Sequence, residues 1–162
     1  MSVKSDAEKT VLEYFLNACP IFSGKVSDTK PCNPPEPDCI CEFKDGSRRY
    51  FELSEIVDEG IAEKFYGRKV DPSGGFFDDD ILNDRVREKL EKKYQTNGLD
   101  IELLLYFSFQ PMWPEETMTQ QVRDVVNSRG RGPFKRVWLF SVPKTKVMGS
   151  FWSSYGYLDR TS

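Results

Sequence analysis

Residues 37–56 read Pro37-Asp38-Cys39-Ile40-Cys41-Glu42-Phe43-Lys44-Asp45-Gly46-Ser47-Arg48-Arg49-Tyr50-Phe51-Glu52-Leu53-Ser54-Glu55-Ile56, two strand-like runs on either side of an Asp-Gly pair. Asp-Gly between such runs is a strong short-range signal for a β-hairpin. Side chains alternate across a strand, so Asp38, Ile40 and Glu42 share one face of the first run, and Tyr50, Glu52 and Ser54 share one face of the second. The turn decides whether those faces coincide. A three-residue loop Lys44-Asp45-Gly46, with the glycine left-handed, pairs Phe43 with Ser47, Cys39 with Phe51 and Asp38 with Glu52. A two-residue loop Asp45-Gly46 sets Glu52 opposite Cys39 instead. In the first register two carboxylates oppose each other at about 5 Å, which destabilises a sheet unless positive charge lies between them. A hard divalent cation such as Mg²⁺ or Mn²⁺ suits that place.

Outward from the hairpin the chain alternates helix and strand. Ser5 to Cys19 is expected to be a helix: Ser5-Asp6-Ala7-Glu8 has the form of a capping box, Ala7, Val11, Leu12, Phe15, Leu16 and Cys19 recur at helical spacing, and Pro20 ends the run. Residues 23–37 read as loop, with one short edge strand near Lys25 to Ser27. A short helix is expected over residues 58–64 and a loop at Asp71 to Gly75. The acidic run Asp78-Asp79-Asp80 starts another helix, whose apolar stripe is Ile81, Leu82, Val86, Leu90 and Tyr94. Ile101 to Phe109 is almost continuously apolar, as in a strand buried on both faces, and Val137 to Val142 repeats that character. Pro114, Glu115 and Glu116 open the helix between them, with Met118, Val122, Val125 and Val126 inward. Two buried strands joined through a helix are parallel, with a right-handed crossover. The fold expected is α/β: a mixed β-sheet flanked by helices on both faces, in the order helix-hairpin-helix-strand-helix-strand. Residues 1–162 form a single domain in this reading, with 143–162 as an aromatic C-terminal extension.

Composition narrows the chemistry. The 162 residues contain no histidine, so every imidazole-based relay, general base and zinc ligand is excluded, and proton transfer falls to carboxylates, lysines, tyrosines or metal-bound water. The net charge of −3 gives the whole molecule no attraction for nucleic acid or anionic membrane, so any such contact is local. No apolar run approaches a membrane span, and Met1 to Asp6 lacks the apolar stretch of a signal peptide; a cytoplasmic protein is expected. Cys19, Cys32, Cys39 and Cys41 lack metal-ligand spacing and read as reduced, mostly buried thiols.

Pro37-Asp38, thirteen intervening residues, then Glu52-Leu53-Ser54 after a hairpin and before a helix, resembles the PD-(D/E)XK nuclease superfamily with its restriction-endonuclease-like fold, in a degenerate branch of bacterial or phage type. The likeness runs from Ser5 to Val142 and rests on a short motif. It implies that Asp38 and Glu52 hold Mg²⁺ (or Mn²⁺), that a lysine two residues beyond the Glu assists the attacking water, and that the substrate is nucleic acid, usually DNA. The motif lysine is absent here: Ser54 stands in its place.

At about 100° per residue, Leu82, Val86 and Leu90 define an apolar arc; Lys93 falls between Leu82 and Val86 in angle and Lys89 just beside Leu82. One of them reaching the carboxylates from that helix would replace the absent lysine; alternatively, both snorkel near the helix C-terminus, where positive charge is favoured. Glu8 falls within the arc of the first helix and is either the capping glutamate or the third acid that the resemblance implies there as a metal ligand. Arg129, Arg131 and Lys135, in the densest basic cluster, are candidates for substrate phosphate contacts, against the alternative of a solvated connection. The tail Phe151 to Tyr157 could stack bases, cover a second subunit in a homodimer, or pack on its own domain. Trp113 sits where open α/β sheets bind ligands. Two functions follow: a Mg²⁺-dependent nuclease using Asp38, Glu52, Ser54 and Lys89 or Lys93, or a catalytically inactive member of the same fold serving as a binding or assembly module.

Overall fold

The computed structural model describes residues 3–56, 86–108, 114–129 and 132–151, and of Val3 and Arg129 the backbone alone. The expectations for residues 58–64, 71–75 and 78–82, for Trp113 and Arg131, and for the tail beyond Phe151 lie outside them.

Helix α1 (Val3–Ala18) forms because Leu12, Phe15 and Leu16 stack on one side, each at most 3% exposed. It begins at Val3, two residues before Ser5, so Ser5 lies inside the helix and Glu8 is not its capping glutamate. The six strands are β1 (Val26–Pro31), β2 (Cys39–Phe43), β3 (Arg48–Glu55), β4 (Ile101–Phe107), β5 (Arg136–Ser141) and β6 (Lys146–Phe151), adjacent in that order in one sheet. Strands β3, β4 and β5 are parallel; β1, β2 and β6 add antiparallel edges. Residues 86–91 are helical (α2), and α3 (Glu115–Arg129) is the crossover between β4 and β5. The mixed sheet with helices is as expected; the edge strand expected near Lys25 to Ser27 is β1, which runs on to Pro31, and β6 extends the sheet at its other edge. Lys146–Phe151, read from sequence as part of an extension, is a sheet strand.

The hairpin takes the three-residue loop. Phe43 N–H donates to the Ser47 carbonyl at 2.8 Å and Gly46 N–H to the Phe43 carbonyl at 2.9 Å, with Gly46 at φ 88°. The pairing Cys39 with Phe51 and Ile40 with Tyr50 follows, and continuing it one step sets Asp38 across from Glu52.

Alternation then sorts the side chains into two cores. Tyr50, Ile101, Leu103, Leu105, Val137 and Leu139 face α2 and α3, meeting Val86, Leu90, Met118, Val122 and Val126. Cys39, Cys41, Phe51, Leu53, Leu104, Trp138 and Phe140 face α1, where Phe15 packs edge-on to Trp138 and Phe140 at ring separations of 5.2 and 5.6 Å. Glu102, fully buried on the α1 side, accepts Trp138 Nε1 at 2.6 Å and is ion-paired with Arg49, whose guanidinium lies over the rings of Phe22 and Phe43. Cys19, Cys39 and Cys41 are buried and Cys32 half-buried, all as free thiols.

Gly132 joins the α3–β5 connection to α2. It sits at φ 59°, and a Cβ there would collide with the Leu90 carbonyl oxygen, whereas one on Gly46 would meet nothing. Gly46→Ala is therefore expected to cost only the left-handed backbone penalty, about 1–2 kcal/mol, and Gly132→Ala distinctly more. Urea unfolding of both variants against the parent measures the difference.

Candidate active site

The opposed acids are built into the backbone as well as into each other. Glu52, 2% exposed, accepts the Asp38 backbone N–H through Oε1 at 3.0 Å, and Asp38 Oδ2 accepts the Leu53 backbone N–H at 2.9 Å. Each carboxylate thus holds the other's strand. The second oxygen of Glu52, Oε2, receives Lys89 Nζ at 2.7 Å and Tyr94 OH at 2.9 Å, with Lys92 Nζ at 4.0 Å. Lys89 reaches it from α2 because that helix lies on the same face of the sheet, seated by Val86 and Leu90. Lys93 is exposed and touches none of these acids among the described residues, so of the two candidate lysines it is Lys89 that the fold brings to the pair.

Two loops hold this arrangement. Tyr50 OH donates to Glu36 Oε2 at 2.6 Å and accepts Asn97 Nδ2 at 3.2 Å, while Gln95 N–H donates to the Pro35 carbonyl at 3.0 Å. These bonds tie the segment leading to Asp38 to the segment carrying Tyr94. The Tyr94 ring packs 5.8 Å from that of Phe134.

Beside the pair a cavity of about 450 Å³ opens, lined by Lys4, Glu8, Ser54, Glu88, Lys89 and Tyr106 among others. It lies past the C-terminal halves of β3 and β4, between α1 and α2, the end of a parallel sheet where ligands usually bind. Ser54, buried, occupies its wall next to Lys89. Glu8 is 8% exposed and its charged surroundings are Asp38, Lys4, Glu52 and Lys89. The other candidate groups stand apart. Lys135 is ion-paired with Asp100 at 3.4 Å at the start of β4, the opposite end of the strand from the cavity, and Arg129 closes α3.

Among the described residues the electrostatics show a site short of positive charge. Burial pushes the Asp38 carboxyl up to about 6, with the Glu52 charge next in size and the Leu53 N–H opposing it. Burial, and then Asp38, push Glu8 up to about 7. Tyr94 is held well above the usual phenol range, first by burial and then by the Glu52 charge. Of the two lysines ion-paired with Glu52 among the described residues, Lys89 is the more enclosed, 20% exposed against 53% for Lys92. Among the described residues no three His, Cys, Asp or Glu side chains converge as a metal-ligating group. The all-oxygen pair Asp38 and Glu52 still fits Mg²⁺, which commonly takes one or two carboxylates and completes its shell with water and substrate phosphate. The resemblance pointed to Asp38, Glu52 and Glu8; what sequence reading missed is Tyr94, counted there as one more apolar-stripe residue. Among the described residues no helix is long and apolar enough to cross a membrane. No family model, curated protein or solved structure matches the chain.

The raised carboxyls set a pH dependence whose sign is unusual. From ordinary values of 3.8 and 4.5, Asp38 and Glu8 move to about 6 and about 7 on folding, so between those limits the native state binds more protons than the unfolded chain. The associated stability is full at about pH 4 and is lost as pH rises through about 6 to 7. In chelator, the parent is expected to lose on the order of 2 kcal/mol between about pH 5 and about pH 8. Asp38→Asn, which can still accept the Leu53 N–H, should flatten that loss and be no less stable than the parent at the upper end. Thermal or urea unfolding across the range reads both; a parent whose stability rises with pH contradicts the assignment.

Proposed function

We propose that the chain is a divalent-metal-dependent phosphodiesterase of PD-(D/E)XK type that hydrolyses nucleic acid. The observation that carries this reading is the ion pair from Lys89 on α2 to Glu52 on β3, opposite Asp38: the acids of the motif with a lysine delivered from a different element. Asp38 and Glu52 would hold Mg²⁺ or Mn²⁺, with Glu8 the third acid at the cavity. Such an ion, when bound, stabilises charge developing at phosphorus and activates water at neutral pH. The chain's own residues do the rest. Tyr94 and the Asp38 N–H fix the Glu52 carboxylate; Lys89 supplies positive charge where Ser54 has none; and the Ser54 hydroxyl offers a donor and acceptor to whatever occupies the cavity.

A non-catalytic binding or assembly module of the same fold is the second reading, favoured by Ser54 at the motif lysine position and by a sequence pI of about 5.2. Incubation with single-stranded, duplex and branched DNA and with RNA, in Mg²⁺ or Mn²⁺, separates the two. Cleavage is expected in at least one of these. Asp38→Asn and Glu52→Gln should abolish it, Lys89→Ala should slow it by about 10²- to 10⁴-fold, and Lys93→Ala should leave it within about twofold. A parent that binds the ion and cleaves none of the four is the module.

A further inference from the structure

Glu52 is more fully occupied than a metal ligand awaiting its ion. A carboxylate has about two acceptor sites on each oxygen. Both sites on Oε2 are taken, by Lys89 at 2.7 Å and Tyr94 at 2.9 Å, and one on Oε1 by the Asp38 N–H at 3.0 Å. An ion using Oε2 needs the Lys89 seat. An ion using the remaining site on Oε1 would share one carboxylate with the ammonium, inside a site where charges are poorly screened. Neither placement leaves the two cations together comfortably.

We infer that Lys89 and the divalent ion compete for Glu52, so that ion entry drives the Lys89 ammonium out of the pair and into the adjoining cavity. The inference rests on the metal-dependent reading and adds to it how the site is switched. Lys89 already lines that cavity, whose volume of about 450 Å³ accommodates its flexible four-carbon stem. Glu8, Glu55 and Glu88 line it as well, so the displaced ammonium has carboxylates to meet there beside the apolar Ala7 and Leu53. Ser54 lines it too, which means that the displaced Lys89 lies beside the position where the motif carries its own lysine. In the ion-free protein Lys89 neutralises the acids; in the loaded protein it is released toward the group that reacts. Lys92, at 4.0 Å from Oε2 but 53% exposed, faces the same carboxylate and is too solvated to compete as strongly.

The test is the affinity for Mn²⁺, read by electron paramagnetic resonance of the free ion, which requires no turnover. Lys89→Met removes the competing charge, and Lys89→Gln does so while keeping a neutral donor to Glu52, a second variant should the first fail to fold. Both are expected to bind Mn²⁺ at least about tenfold more tightly than the parent, and Lys92→Met to stay within about threefold. Mn²⁺ binding in the Lys89 variants with none in the parent would support the competition in its extreme form. A parent that binds, with Lys89 variants that bind equally or more weakly, overturns the competition and leaves the metal-dependent reading standing. No binding in the parent or in either Lys89 variant overturns both.

Discussion

Glu52 and Asp38 are held together by a turn. The left-handed Gly46 closes a three-residue loop, and every pairing back along the hairpin, from Phe43 and Ser47 to Cys39 and Phe51, is counted from it. A slip of one residue would send each side chain of β3 to the other face. Glu52 would then enter the aromatic cluster under α1, and Phe51 would take its place before Lys89. Because Phe51, Leu53 and the two buried cysteines of β2 fill the α1 side, the register is enforced by the core as well as by the loop. The cost is a buried carboxyl and a half-buried one forced together, offset by the Leu53 and Asp38 backbone N–H groups and by Lys89.

The same sheet contains a second buried acid with an opposite solution. Glu102 faces α1 with no solvent exposure, and it is satisfied by Arg49, one strand away, and by the Trp138 indole. Among the described residues that network is closed: one acid, one cation lying over two neighbouring rings, one neutral donor. The Asp38, Glu52 and Glu8 group is open, with more carboxyls than enclosed cations among the described residues, and burial and the neighbouring carboxylates raise Asp38 and Glu8. Buried charges that balance serve structure; a buried group that does not balance is where a cation or a substrate is to be sought.

What the sequence disclosed follows from how local each signal is. The hairpin register was legible because a turn is encoded within a few residues, and β4 was legible because a strand buried on both faces leaves a continuous apolar run. Edge strands carry no such mark. β1 (Val26–Pro31) has half of its positions exposed, so the edge strand expected near Lys25 to Ser27 caught only its start, and β6 (Lys146–Phe151), only partly covered, showed no buried-strand pattern at all. Glu8 stayed open between two readings for a related reason. Ser5-Asp6-Ala7-Glu8 has the form of a capping box, but the helix starts at Val3, and tertiary proximity to Asp38 gives the glutamate its surroundings. Tyr94 was assigned to an apolar stripe because periodicity records a ring and not the hydroxyl at its end, which here finds Glu52.

The choice between Lys89 and Lys93 shows the limit of helical periodicity most clearly. Four residues apart, they occupy adjacent positions on an ideal helical surface, and angle alone does not separate them. The helix ends between them: residues 86–91 are helical and 92–96 are not. Lys89 remains on the wound segment that Val86 and Leu90 press onto the sheet, while Lys93 lies past the end and is exposed. What stops the helix there is partly long-range. Gly132, from the connection beyond α3, packs against the Leu90 carbonyl, and Gln95 bonds back to Pro35. The end of the helix that carries Lys89 to Glu52 therefore packs against a glycine more than forty residues away in sequence, through a contact that no side chain larger than hydrogen would permit.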